Sequence, residues 1–222
     1  MEEEKKISAE SAAALVEDGM ILGLGTGSTA YYVIRSIGER IREEGLHIIA
    51  VPTSLETEIL AIECGIRLTS LSEHPALDLA IDGADQVDPE LNAIKGKGGA
   101  LTREKIVARS SKKFVVCVDE RKIVDVLDEM VPLEVIPYAR RLVEKKVEEM
   151  GGKPELRKAE KKVGPVVTDN GNIIIDAYFG EIKEPEKLAM RLSSVVGVVE
   201  HGIFTDVSEV HVGGKDGVRI LK

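Results

Sequence analysis

The sequence predicts an α/β protein: a Rossmann-like, mostly parallel sheet in a large domain, with a small α+β domain of ferredoxin-like βαββαβ order inserted near its C-terminal end. Three observations carry this. Short apolar runs alternate with stretches of helical periodicity as far as residue 118, and strands joined through helices need crossover connections, hence parallel pairing. At Met130 the order changes to β-α-β-β-α-β, the split βαβ arrangement. Residues 206–222 then return to short strands. A chain of 222 residues, at about 150 residues per domain, suits one sizeable core and a satellite. The expected large domain is 1–129 plus 206–222, and the expected insert is 130–205.

Each element follows from local pattern. Residues 8–18 predict a helix capped by Ser8, with Ala12, Leu15 and Val16 at helical spacing. Met20–Leu24 is a buried-strand run ending in glycines. Ser28 to about Glu44 is helical, with Tyr32, Val33, Ile37 and Ile41 on one side. His47–Val51 is a strand stopped by Pro52, and Ser54 opens a helix carrying Leu55, Ile59, Leu60 and Ile62, closed by Gly65. Leu77–Ile81 and Phe114–Val118 are strands flanking a helix over Leu101–Ser110. In the insert, Leu133–Ile136 is a strand and Tyr138–Met150 a helix ended by Gly151-Gly152. Strands near 153–158 and 172–179 follow, the second preceded by the turn residues Asp169-Asn170-Gly171. Pro185 starts a helix through Ser194, Val195–Phe204 is a last strand, and the tail pairs Glu209–Val212 with Val218–Leu221 around a Gly213-Gly214 turn.

Composition narrows the function. Aromatics are 3%, with no Trp, so base-stacking platforms are not expected. The net charge of −9 repels polyanions, which argues against nucleic acid or an anionic membrane as partner and leaves small anions open. Cys64 and Cys117 form neither a CxxC pair nor a disulfide framework and are expected as reduced core thiols. The start of the chain, with Glu2-Glu3-Glu4-Lys5-Lys6, lacks the apolar region of a signal peptide, and no run suggests a membrane span. A cytoplasmic protein is expected.

Three segments directly follow expected strands, the edge where ligands bind in open parallel sheets. Gly23-Leu24-Gly25-Thr26-Gly27-Ser28-Thr29 lets backbone approach an anion at a helix N-terminus. A dinucleotide fingerprint would place Gly at Ser28, and no Walker Gly-Lys-Ser/Thr occurs, so a phosphate monoester is favoured over NAD or ATP. A tight turn capped by Ser28 is the competing reading. Asp82-Gly83-Ala84-Asp85 offers two carboxylates for proton handling, with an Asx turn as the competitor. Asp82, Asp85 and Asp88 do not match a calcium loop. Lys95-Gly96-Lys97-Gly98-Gly99 can cradle an oxyanion, and Glu104 falls in the first turn of the next helix. There it either complements the helix dipole or serves as general base. His47, His74, His201 and His211 lack paired metal spacing and are expected in the core or on the surface. The Lys145-Lys146/Glu148-Glu149 run reads as a solvated helix face.

Taken in order, GLGTGST, DGAD, IKGKGGALTREKI and VDERK, with PLEVIP (132–137) and VVTDNGN (166–172), make the chain resemble the ribose-5-phosphate isomerase A family over essentially its whole length. The resemblance implies substrate binding by Thr26, Gly27, Ser28 and Thr29, by Asp82, Gly83, Ala84 and Asp85, and by Lys95, Gly96, Lys97, Gly98 and Lys122. It implies catalysis by Glu104 with Asp82, Asp85 and Lys95, with no metal or redox cofactor. Ser28, Thr29 and Lys5 or Lys6 would hold the phosphate, with Lys122 as a further candidate. Partners would be a sugar phosphate and further copies of the chain, as a homodimer or homotetramer. The family's K-G-G-G stretch reads Lys95-Gly96-Lys97-Gly98 here, so the side chain at 97 either contacts substrate or faces solvent. A sugar-phosphate sensing domain without turnover and a CoA transferase of related fold, with a glutamate nucleophile, are the alternative functions. The sensor has no need of the glutamate–lysine pair, and so short a chain has little room for CoA.

Overall fold

A computed structural model describes residues 2–161 and 163–222. In chain order the elements are α1 (Glu2–Ala13), β1 (Ile21–Leu24), α2 (Ser28–Glu44), β2 (Ile49–Pro52), α3 (Leu55–Glu63), β3 (Arg67–Leu68), β4 (Leu77–Gly83), β5 (Gln86–Val87) and β6 (Ala93–Ile94). They continue with α4 (Leu101–Arg109), β7 (Ser111–Asp119), β8 (Val131–Val135), α5 (Arg140–Glu149), β9 (Lys153–Leu156) and β10 (Ile173–Tyr178). Last come α6 (Pro185–Ser193), β11 (Val198–His201), β12 (Ile203–Phe204), β13 (Glu209–Gly214) and β14 (Gly217–Leu221). No helix among the described residues is long and apolar enough to cross a membrane.

The chain divides into two compact units. The first takes residues up to Ala84, Arg103–Ile123 and Asp206–Lys222. Its seven-stranded sheet runs β14-β13-β7-β4-β1-β2-β3, parallel except at the antiparallel edge β13–β14. Its core gathers Leu22, Leu24, Ile34, Ile37, Leu79, Ile81 and Val115, with Ala9, Ala12 and Ala13 of α1. α2 buries Val33, Ile34 and Ile37 along one face and ends at Gly45, whose φ of 73° is the left-handed stop glycine tolerates.

The second unit takes Asp85–Thr102 and Val124–Thr205. Its four-stranded sheet, β11-β8-β10-β9, is antiparallel throughout and gives the ferredoxin-like order with α5 and α6. Leu133, Val135, Val143, Val147, Ile173, Ile175 and Leu192 form its core. A small sheet, β12-β6-β5, completes it. The sequence places 85–102 and 124–129 with the large domain, whereas these segments group with the second unit. The pairing of Ile94 with Ile203 and of Ala93 with Phe204 ties them there.

Three local expectations are corrected. The first helix starts at Glu2, where three acidic residues favour a helix N-terminus, and Ser8 lies inside it with its hydroxyl donated to the Lys5 carbonyl at 2.9 Å. The strand expected over Val195–Phe204 breaks at Gly202, where a Cβ would lie 2.2 Å from the Lys95 carbonyl oxygen. Gly213 and Gly214 lie within β13, and the hairpin turns at Lys215-Asp216 before Gly217. At Gly213 a Cβ would stand 1.9 Å from the Glu4 carbonyl oxygen, so glycine lets α1 lie against this strand.

Candidate active site

In the first unit, β1, β4 and β7 run parallel and finish at one edge of the sheet, at Leu24, Gly83 and Asp119, each strand reaching two residues further than the one before. The chain then turns from β1 into α2. Gly25 donates to the Ile81 carbonyl at 2.9 Å, and a Cβ on Gly25 would lie 2.1 Å from the Asp82 carboxyl carbon. Gly27, with φ 112°, holds the N-cap position of α2 without any side-chain cap, so Ser28 begins the helix and does not cap it. The first N–H groups and the positive dipole end of a 17-residue helix thus point out of the turn without a side-chain cap, the chemistry an anion requires.

The groups around this turn are tightly ordered. The Asp82 carboxylate, 3% exposed, accepts the backbone N–H of Thr26 at 3.1 Å and of Gly83 at 2.7 Å through Oδ1. The Thr26 hydroxyl is engaged with those of Thr53, Ser54 and Thr57 at 2.7, 2.8 and 3.1 Å. Thr57 in turn donates to the Gly25 carbonyl at 2.7 Å. This hydroxyl cluster was not anticipated from sequence, although Ser54 capping α3 through Thr57 N–H is a recognisable cap signal. Ser28 is exposed and accepts from Lys5 Nζ at 2.8 Å, whereas Lys6 lies 3.8 Å from Glu10. Of the two lysines, Lys5 is therefore the one brought to the turn. A cleft of about 420 Å³ opens here, lined by Lys5, Gly25, Gly27, Ser28, Tyr31 and Glu56.

Glu104 sits in the first turn of α4 and is 4% exposed. Because α4 feeds the N-terminal end of β7, its own N-terminus lies toward the strand ends that carry Leu24 and Asp82. Val107 one turn later seats the helix on β1, where a Cβ on Gly23 would be 2.3 Å from it. A buried carboxylate is suited to take a proton from carbon. Lys122 is half-buried at the end of the turn that follows β7. Burial raises the Asp119 carboxyl, but the Arg121 guanidinium at 2.8 Å, with the Lys122 charge, brings it below its usual range.

The second unit carries the remaining candidates. The Asp85 N–H donates to the Ile94 carbonyl at 2.7 Å, and Asp85 Oδ2 accepts the Lys97 N–H at 3.0 Å. Lys95 is 2% exposed, donates its N–H to the Gly202 carbonyl at 2.8 Å, and holds Nζ 5.4 Å from the centre of the Phe204 ring. Gly96 and Gly99 have φ of 104° and 80°, and the Gly99 N–H closes the turn onto the Gly96 carbonyl at 2.9 Å. Lys97 has no positive φ and is exposed, as is Gly98. Position 97 therefore has a backbone that admits any residue. Arg157, absent from the sequence expectation, donates to the carbonyls of Gly96 and Lys97 at 3.0 and 2.9 Å.

The remaining expectations place simply. Asp88 closes a short loop, accepting the Asn92 backbone N–H at 2.8 Å and its side-chain amide at 2.9 Å. His201 and His211 are buried and hydrogen-bonded, His47 lies at the surface beside Asp18, and Cys64 and Cys117 are buried thiols. Burial pushes the Cys64 thiol up.

The family model described as ribose 5-phosphate isomerase A (phosphoriboisomerase A) matches residues 49–217. A ribose-5-phosphate isomerase A of Methanosarcina acetivorans is 60% identical over 96% of this chain and 92% of its own length. One from Pyrococcus abyssi is 48% identical over 100% and 99%. Among solved structures, ribose 5-phosphate isomerase A of Methanocaldococcus jannaschii superposes with a TM-score of 0.96 at 48% identity, covering 99% and 98%. A D-ribose-5-phosphate isomerase in complex with phospho-erythronic acid superposes with a TM-score of 0.97 at 47% identity, covering 100% and 98%. With the family model spanning most of the chain and relatives this similar over its length, the chain belongs to the ribose 5-phosphate isomerase A family.

Proposed function

We infer that this chain interconverts D-ribose 5-phosphate and D-ribulose 5-phosphate, the isomerisation its family is named for, with Glu104 as the base that moves the proton. The observation that carries the assignment of Glu104 is its burial in the first turn of α4, in the unit that also holds the glycine turn before α2. From the open-chain sugar, the Glu104 carboxylate takes the C2 proton. The C–H electrons form the C1–C2 double bond of an enediolate, and the carbonyl electrons move onto O1. A proton passes between O1 and O2, and Glu104 returns its proton to C1, giving the ketose. One carboxylate on one face of the sugar suffices, and no redox step is involved.

The other roles follow the chemistry of each group. Lys95 and the Gly98 backbone N–H of the loop over Gly96, Lys97 and Gly98 stabilise the oxyanion, a contribution of about 2.7–4 kcal/mol per donor in comparable sites. The Lys97 backbone serves the loop indirectly, its N–H holding Asp85 Oδ2 and its carbonyl held by Arg157. Asp82 and Asp85 hold sugar hydroxyls and assist ring opening, beside Gly83 and Ala84. Gly27, Ser28, Thr29, Lys5 and Lys122 hold the phosphate, and Thr26 braces the turn from below. The protein works in the cytoplasm as a homodimer or homotetramer. Leu55, Ile59 and Ile62, each more than half exposed on α3, and Met190 and Val196 in the second unit support assembly. Neither a sensing module nor a CoA transferase is favoured, since the relatives named above are isomerases.

The test is proton exchange at C1 and C2 of ribose 5-phosphate in deuterated water with EDTA present. Exchange and isomerisation are expected to persist in EDTA; their absence defeats metal-free proton transfer. In Glu104→Gln, turnover should fall about 10²–10⁴-fold while ribose 5-phosphate still binds. Turnover near that of the parent would remove Glu104 from the role.

A further inference from the structure

We propose that Arg157, held by Asp176, is a positioning residue for the isomerisation: it aims the Gly98 N–H and the Asp85 carboxylate by fixing two successive peptide planes of the Lys95–Gly99 loop. The proposal rests on the reading above, in which this loop meets the developing oxyanion.

The argument begins with the five N–H donors of a guanidinium, arranged in a rigid fork. Arg157 follows β9 and Asp176 lies on β10; both side chains are mostly buried, at 17% and 15% exposure. Arg157 Nε donates to Asp176 Oδ2 at 2.8 Å, and Nη2 donates to Asp176 Oδ1. That bidentate pairing fixes the plane of the guanidinium. The remaining Nη1 then reaches two carbonyl oxygens, Gly96 at 3.0 Å and Lys97 at 2.9 Å.

Each of those carbonyls shares a planar trans peptide with the next N–H, which points the opposite way. Drawing the Gly96 carbonyl to Arg157 turns the Lys97 N–H away from it, and that N–H is found on Asp85 Oδ2 at 3.0 Å. Drawing the Lys97 carbonyl to Arg157 likewise turns the Gly98 N–H to the face opposite the guanidinium. One side chain thereby orients a carboxylate and a backbone donor without touching the substrate. The loop needs such an anchor, because Gly96 and Gly99 stand at φ of 104° and 80°, where glycine has little conformational preference of its own. A lysine at 157 keeps the charge but cannot span a carboxylate and two carbonyls in one plane.

The experiment compares Arg157→Ala, Arg157→Lys, Asp176→Asn and Lys95→Met with the parent. Readouts are kcat, KM for ribose 5-phosphate, inhibition by inorganic phosphate, and melting temperature. Arg157→Ala is expected to lose about 10²-fold in kcat, the scale of a displacement near 1 Å in a catalytic group, with KM and phosphate inhibition within about threefold. Arg157→Lys should fall with it, and added guanidinium at millimolar concentration should restore turnover to Arg157→Ala but not to Arg157→Lys. Parental kcat in Arg157→Ala, or an equal loss in kcat and phosphate inhibition, overturns the proposal. If Arg157→Ala does not fold, Asp176→Asn decides: a fall in kcat with an unchanged melting temperature supports the anchor, and parental kcat overturns it. A Lys95→Met variant with parental turnover refutes the underlying reading of the loop. Loss in Lys95→Met beside parental Arg157 variants refutes only the anchor.

Discussion

Replacing Gly25 by alanine isolates one steric demand. The backbone at Gly25 has no positive φ, so alanine meets no dihedral penalty there. Its Cβ, however, would stand 2.1 Å from Asp82 Cγ and Oδ1 and 2.5 Å from Asp82 Cβ. Rotating the carboxylate clears the first two contacts but not the third, because Cβ is fixed by the main chain. Ordinary contact begins at 3.4 Å, so β1 and β4 must move apart by several tenths of an ångström where Leu24 pairs with Ile81. Overpacking of this kind costs about 1–3 kcal/mol. Straining the two N–H bonds to the buried Asp82 carboxylate raises the total to about 2–5 kcal/mol. At about 2–4 °C per kcal/mol for a chain of this length, melting should fall by roughly 4–20 °C. kcat/KM should fall about 10²-fold in the folded fraction, since Asp82 is displaced. Gly27→Ala is the control: its Cβ would meet nothing within 4 Å, and only its φ of 112° is unfavourable. With ψ of −173° this is a region nearly reserved for glycine, so the change should cost about 1–3 kcal/mol. Differential scanning calorimetry and steady-state kinetics measure both. The reasoning fails if Gly25→Ala melts within about 2 °C of the parent, or if Gly27→Ala is the more damaging of the two.

Three further outcomes follow from single residues. Burial raises the Glu209 carboxyl, but hydrogen bonds from Lys113 and His211 and the charges of Lys113 and Lys222 bring it from 4.5 down to about 2. A depressed carboxyl stabilises the fold above its unfolded pKa and loses that contribution as pH falls from about 4.5 to about 2. The shift corresponds to about 3 kcal/mol, so the melting difference between Glu209→Gln and parent should shrink across that window; a pH-independent difference refutes it. Lys97→Gly should leave KM within about threefold and cost at most about 1 kcal/mol in stability, because the side chain is exposed and the backbone ordinary; a tenfold rise in KM would give the side chain a substrate contact. Glu134, fully buried, accepts only from donors: Thr168 at 2.9 Å, Asn170 at 3.0 Å and Asn172 at 2.8 Å. Glu134→Leu removes the oxygen, Oε1, on which all three donors converge and should cost at least about 2–3 kcal/mol, read by faster hydrogen exchange over residues 168–172.

The parallel sheet was legible because buried strands here are plain apolar runs and their glycine-rich ends fall at one edge. The ferredoxin-like insert was legible from element order alone, and β11-β8-β10-β9 is the strand order that βαββαβ chirality requires. What stayed hidden was two-residue pairing. β5, β6 and β12 are too short to show periodicity, yet they assign 85–102 to the second unit. Ser8 looked like a cap because serine caps often, whereas the helix start was decided by three acidic residues ahead of it. Among the site residues, Asp82, Glu104 and the glycine turns were marked by motif. Thr53, Thr57 and Arg157 were not, since their work is done on backbone atoms of residues far away in sequence.

The two glycine loops meet their demands in different ways, and this explains why one tolerates a lysine. In the loop after β1, Gly25 is excluded from bearing a side chain by its neighbour Asp82, so the constraint is external and any Cβ violates it. In the loop after β6, Gly96 is constrained by both its φ and Leu101, whose Cβ would lie 2.8 Å from an added Cβ. Position 97 has neither constraint. Its peptide groups are held from outside, by Asp85 on the N–H and Arg157 on the carbonyl. A loop ordered through its main chain leaves the side chain at position 97 open, while Gly96 is a requirement of geometry.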